Sequence, residues 1–133
     1  MTHEAQNRLT PVKVMIVDDN SEMRTLIRSL LKDVAQEFIE CAGGEEAVAQ
    51  FATERPDWTL IDIVMPGVDG FSATKQIKAL FPTARILIMT QHDNRMLRNL
   101  ASEAGATGFL GKAELTRLES IIASGGTDGG TPG

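Results

Sequence analysis

The sequence predicts an α/β fold in which a doubly wound, five-stranded parallel sheet carries helices on both faces. Three observations predict it. Short β-type runs alternate with amphipathic helical patterns along most of the chain, as when parallel strands are joined by helical crossovers. The third run, Trp58-Thr59-Leu60-Ile61, is almost wholly apolar, as a central strand buried on both faces must be. Acidic residues follow the runs directly, Asp18-Asp19 after the first and Asp62 after the third, where an open parallel sheet places its ligands.

The first strand is Lys13–Val17. From Ser21, a suitable N-cap, the residues Met23, Leu26, Ile27, Leu30, Leu31 and Val34 recur at three- and four-residue steps and form one core-facing stripe. A second strand is expected over 38–42. Gly43-Gly44 then opens a helix whose Glu45 and Glu46 suit its positive end, with Val48, Phe51 and Ala52 facing inward, and Pro56 breaks it. After the third strand, Met65 to Gly70 holds two glycines and a proline and reads as a loop. Phe71, Ile77 and Leu80 resume helical spacing until Pro82. A fourth strand is expected over 85–89 with Thr90 at its end. Met96, Leu97, Leu100, Ala101 and Ala104 make a helix closed by Gly105. A fifth strand is expected over 107–110, and Leu115, Leu118, Ile121 and Ile122 give a short closing helix.

At 133 residues with a net charge of −5, the chain suits one domain and lacks the basic run that could neutralise a row of phosphates. Direct nucleic-acid binding is therefore not expected. Cys41 is alone and sits in an apolar run, so it reads as a buried thiol, and neither a disulfide framework nor a cysteine zinc site is available within the chain. No segment has signal-peptide or membrane-spanning character, and a cytoplasmic location is expected. A polar, disordered leader is expected over 1–11, the folded domain over 12–124, and a Gly-rich tail or linker stub over 125–133.

In strand order 2-1-3-4-5, the flavodoxin-like arrangement, Asp18, Asp19, Asp62, Thr90 and Lys112 all fall at the carboxyl edge of the sheet. Three carboxylates brought together repel one another and call for a cation. Magnesium takes hard oxygen ligands, and the charges of three carboxylates, one such ion and Lys112 sum to zero. An anionic phosphoryl group would then meet the metal on one side and Lys112 on the other, with Asp62 able to act as nucleophile. Taken singly, a strand-end Asp is often only a turn former, Lys112 a solvated surface lysine and Thr90 a cap. It is their convergence that points to chemistry.

The segments Val17-Asp18-Asp19, Asp62-Ile63-Val64-Met65-Pro66-Gly67-Val68-Asp69-Gly70, Thr90, and Gly105-Ala106 through to Lys112 make the chain resemble a response-regulator receiver domain of two-component signalling, over roughly 12–124. The resemblance implies that Asp62 accepts a phosphoryl group from a sensor histidine kinase or phosphotransfer protein. It implies that Asp18, Asp19, Asp62 and the backbone carbonyl of Val64 hold Mg²⁺, that Thr90 contacts a phosphoryl oxygen and that Lys112 pairs with the phosphate. By the same likeness, phosphorylation draws Thr90 inward, and an aromatic, here Phe109, rotates to alter the face of helix four, strand five and helix five. That face would bind an effector protein or a C-terminal output domain, and a homodimer through it is left open.

The chain departs from the family pattern at several places. Phe109 lacks the hydroxyl of the common Tyr, so its states must be set by packing. Ala113 replaces the usual Pro after the lysine, which leaves the geometry of that bond open. Gln91 is bulkier than the usual small neighbour of Thr90, and His92 and Val64 stand at positions that influence attack of water on the acyl phosphate, His92 as a conceivable base. Such a protein modifies itself and turns over no external metabolite, so it is not expected to be an enzyme. Two alternatives are a degenerate receiver used only for interaction and an aspartyl-nucleophile phosphatase. Phosphatases of the haloacid-dehalogenase type carry a second Asp where Val64 stands.

Overall fold

The computed structural model describes residues 11–125. Five parallel strands, β1 (Lys13–Val17), β2 (Glu37–Cys41), β3 (Trp58–Asp62), β4 (Ile86–Thr90) and β5 (Gly108–Gly111), form one sheet of order β2-β1-β3-β4-β5. Between them run α1 (Ser21–Leu31), α2 (Gly44–Glu54), α3 (Gly70–Leu80) and α4 (Arg95–Ala104), and a 3₁₀ helix (Lys112–Arg117) leads into α5 (Leu118–Ala123). The fold and strand order are those expected from the sequence.

Alternation along the strands divides the core in two. Met15, Val17, Ile61, Ile86, Ile88 and Phe109 pack with Phe51 and Ile77 of α2 and α3. Val14, Ile16, Leu60, Leu87 and Leu110 pack with Ile27 and Leu31 of α1 and with Leu118 and Ile122 of α5. Register sets the carboxyl ends level: Val17 lies beside Ile61, Asp62 beside Met89 and Thr90 beside Gly111.

The departures from expectation have local causes. The N-cap of α1 is Asn20 and not Ser21, because Asn20 Oδ1 accepts from both Glu22 N and Met23 N, at 2.9 and 3.2 Å. The second strand begins at Glu37, one residue early, and the fifth runs from Gly108 to Gly111 because Thr107 uses its hydroxyl to accept from Ile86 N at 3.0 Å. Arg85 stands just outside β4, with its guanidinium 5.0 Å from the Trp58 ring centroid. Leu26, Leu80 and Met96 are exposed although the spacing placed them on apolar faces. All of 1–11 except Pro11, and all of 125–133 except Gly125, lie outside the described residues. No described helix is long and apolar enough to cross a membrane.

Cys41 is buried, and burial chiefly, with the charge of Glu46, pushes its thiol up to about 12. The native protein should therefore fail to react with Ellman's reagent at pH ~8 and titrate fully only once unfolded. Prompt labelling of the folded chain would contradict this environment.

Candidate functional site

Each strand delivers its residue to the same edge. Asp18 directly follows β1, Asp62 ends β3, Thr90 ends β4, and Lys112 directly follows β5. Asp18 is fixed from all sides. Its N–H donates to Cys41 O at 3.0 Å, its carbonyl accepts from Arg24 Nη1 at 2.6 Å and its Oδ1 accepts from Asn20 N at 2.9 Å. Lys112 Nζ then donates to Asp18 Oδ2 at 2.8 Å and lies 3.1 Å from Asp62 Oδ1. One amine from the end of the chain thus bridges two carboxylates from its first half.

Asp18 and Asp62 are buried while Asp19 is exposed, yet one oxygen from each of the three lies within 4.8 Å of the others. Burial raises the pKa of Asp62, Lys112 opposes the rise, and Asp18 and Asp19 reinforce it. For Lys112, burial acts against the charged form, but the hydrogen bond to Asp18 and the charge of Asp62 prevail and hold it above its ordinary value. Three carboxylates against one ammonium leave two negative charges uncompensated. A donor set of hard oxygens with that charge could hold a divalent cation.

Asp62 and Lys112 open into a cavity of about 240 Å³ that is also lined by Val64, Thr90, Gln91 and His92. Thr90 Oγ1 accepts from His92 N at 3.0 Å, so the threonine is tied to the loop that follows it. Val64 projects into solvent, 74 % exposed, at the mouth of the cavity. The close approach of α3 to the site depends on Gly70. A Cβ there would run into the carbonyl oxygen of Asp62, and Gly70 N donates to Ile63 O at 3.0 Å. The Lys112–Ala113 bond, left open by the sequence, is trans.

Phe109, the aromatic that the resemblance marks as the switch residue, is not among the residues that line the cavity. Its ring is buried beneath Arg98, whose Cζ stands 4.9 Å from the ring centroid. Arg24 was not foreseen. It clamps the Asp18 carbonyl and pairs with Glu40 at 2.9 Å, and its one sequence signal is a place four residues after the Asn20 cap, one turn above the strand end.

The family model for the response regulator receiver domain matches residues 14–123. The chain belongs to the response-regulator receiver family. This receiver domain is 36 % identical over 100 residues to the chemotaxis protein CheY of Halobacterium salinarum, a match covering 75 % of this chain and 83 % of that one. It is 33 % identical over 103 residues to the alkaline phosphatase synthesis transcriptional regulatory protein PhoP of Bacillus subtilis, covering 75 % of this chain but 42 % of that protein. Among solved structures, a LuxR-family two-component response regulator from Aurantimonas aligns with a TM-score of 0.74 at 32 % identity, covering 86 % and 87 % of the two chains. Chemotaxis protein CheY4 of Vibrio cholerae aligns with a TM-score of 0.77 at 28 % identity, covering 84 % and 97 %. The receiver domain thus spans most of a CheY and less than half of PhoP. Its acidic pocket sits where a receiver of two-component signalling is phosphorylated.

Proposed function

We propose that this receiver domain is a phosphorylation-controlled switch whose acceptor is Asp62 and whose donor is the phosphohistidine of a sensor histidine kinase or phosphotransfer protein. The observation that carries the reading is the pairing of a buried Asp62 carboxylate with Lys112 at 3.1 Å, in a cavity that Thr90 also lines. In the transfer, an Asp62 carboxylate oxygen forms the new O–P bond while the N–P bond of the donor breaks. The imidazole leaves with the electron pair and takes up a proton. Lys112 is placed to pair with a phosphoryl oxygen, and the Thr90 hydroxyl can turn to donate to another. Asp18, Asp19 and Asp62, with the backbone carbonyl of Val64, are the residues that would hold Mg²⁺. Bound there, the ion would offset charge on the phosphoryl oxygens.

Gln91 and His92 form the wall through which water would reach the acyl phosphate, so they are the residues on which its lifetime would depend. The output is a change at Phe109 and the surface of α4, β5 and α5, read by an effector protein or an output domain, in the cytoplasm. Labelling with a small phosphodonor tests the reading. The expected result is a single acid-stable, base-labile label that needs Mg²⁺, is abolished by EDTA and is absent from Asp62→Asn. Equal labelling of Asp62→Asn would remove Asp62 from this role.

A further inference from the structure

Asp19 stands apart within the acidic trio. Asp18 and Asp62 are buried and share Lys112, whereas the Asp19 carboxylate is exposed and no described residue donates a hydrogen bond to it. Its position beside the other two is therefore set through the backbone, by the peptide that joins it to Asp18. Arg24 of α1 holds that peptide, its Nη1 donating to the Asp18 carbonyl oxygen at 2.6 Å. A second nitrogen of the same guanidinium, Nε, donates to Glu40 Oε1 of β2 at 2.9 Å. Glu40 Oε2 accepts in turn from Arg28 Nη1 at 3.0 Å, one turn further along α1. Arg24 does not line the cavity, and its side chain and that of Glu40 are 17 % and 29 % exposed, so the brace is largely withdrawn from water. Charge gives no reason for it, since a cation arriving at the carboxylates is repelled by a guanidinium one peptide away. Geometry does give one. A charge-assisted hydrogen bond is short and directional, and a planar guanidinium can hold a carbonyl and a carboxylate in one fixed arrangement, as a lysine on its flexible stem does not.

We infer that Arg24, held in plane by Glu40, is a positioning residue: it fixes the Asp18–Asp19 peptide so that the Asp19 carboxylate stays with the other two acids, and thereby sets the affinity of the trio for a divalent cation. This role rests on the reading of Asp18, Asp19 and Asp62 as the residues that hold Mg²⁺. Partners one shell out from a metal's ligands commonly govern affinity in this way, by orienting the groups that bind. Arg24 would do so against its own charge. Loss of the guanidinium removes a repulsion and also frees the peptide, and the two effects move cation affinity in opposite directions.

Calorimetric titration with Mg²⁺ at fixed ionic strength tests the role in wild type, Arg24→Met, Arg24→Lys, Asp19→Asn and the double variant Arg24→Met/Asp19→Asn, with circular dichroism checking that each is folded. Arg24→Met should raise the Kd for Mg²⁺ about 10- to 100-fold, the usual effect of losing a partner that orients a ligand. Arg24→Lys should recover part of that affinity although it restores the unfavourable charge, and it keeps the test open should Arg24→Met fail to fold. Asp19→Asn should weaken binding too, and the double variant should be no weaker than Asp19→Asn alone, because the carboxylate that Arg24 positions is already gone. A Kd for Arg24→Met equal to or below that of wild type, as charge alone requires, would overturn the role while leaving the three acids as ligands. Losses that simply add in the double variant would do the same. A wild-type chain that takes up no Mg²⁺ at millimolar levels would instead remove the reading of the trio on which the role rests.

Discussion

Lys112→Met is expected to destabilise the metal-free protein by about 3 kcal/mol, the cost of stripping the counter-ion from a buried ion pair. Lys112 is the shared partner of Asp18 at 2.8 Å and Asp62 at 3.1 Å, and the side chains of all three are almost closed to water. Added Mg²⁺ should restore part of the loss, because a cation held by the same carboxylates supplies the missing positive charge. Phosphate uptake by Asp62 should fall by about 10²-fold or more, since the amine is the fixed positive charge available to the phosphoryl oxygens from this side.

The pH dependence of the same variant has a definite sign. Burial, then the neighbouring carboxylates against the pull of Lys112, already hold Asp62 above its ordinary range, and removing Lys112 raises it further. A carboxyl with a folded pKa above its unfolded value binds its proton more tightly when folded. It therefore adds stability as pH falls through the folded value toward the unfolded one, and withholds it at neutrality. The deficit of Lys112→Met should be largest at neutral pH and narrow on acidification. Urea unfolding at several pH values, with and without Mg²⁺, measures this. A variant as stable as wild type at neutral pH without metal would contradict it.

Gly70→Ala is the second large effect. Alanine at an exposed helical position stabilises by up to about 1 kcal/mol over glycine, so propensity alone predicts a gain. The added Cβ would instead meet the Asp62 carbonyl oxygen, with the Asp62 carbonyl carbon and the Ile63 Cα both at 3.0 Å. These are backbone atoms at the end of a central strand, and they cannot swing aside as a side-chain tip can. A net loss of about 2–3 kcal/mol is expected, from overpacking. Displacement of the Asp62 backbone should slow phosphorylation as well. Gly67 is the control. It lies in the loop that leads into α3, at φ 77° with open space where a Cβ would go, so Gly67→Ala should cost only about 1 kcal/mol of left-handed strain and leave the Asp62 backbone in place. Thermal melts of the two variants give the comparison, and equal losses would rule out the clash as the cause.

The architecture was legible because its signals are redundant. The alternation of strand and helix patterns, the apolar β3 run and the strand-end acids each point to the same sheet. The convergence of Asp18, Asp62, Thr90 and Lys112 follows from strand order alone, without any side-chain detail. Boundaries were less legible, since Asn20 and Ser21 are both good caps and the choice depends on which one meets the free N–H groups of α1. Exposure was misread at Leu26, Leu80 and Met96, because a three- and four-residue pattern marks a face broader than the strip the sheet covers. Arg98 on Phe109 had no sequence signal, and Arg24 on Asp18 had only its place one turn after the Asn20 cap. A scattered arginine acquires its role only from which strand end or ring the fold sets beneath it.

The bridge from Lys112 to Asp18 joins residues 94 positions apart, one just after β1 and the other just after β5. A nascent chain, or one cut short before β5, therefore holds its acids without the amine that organises them. The amine joins the acids only once β5 has taken its place at the sheet's edge, so the pocket and the sheet are completed in one step.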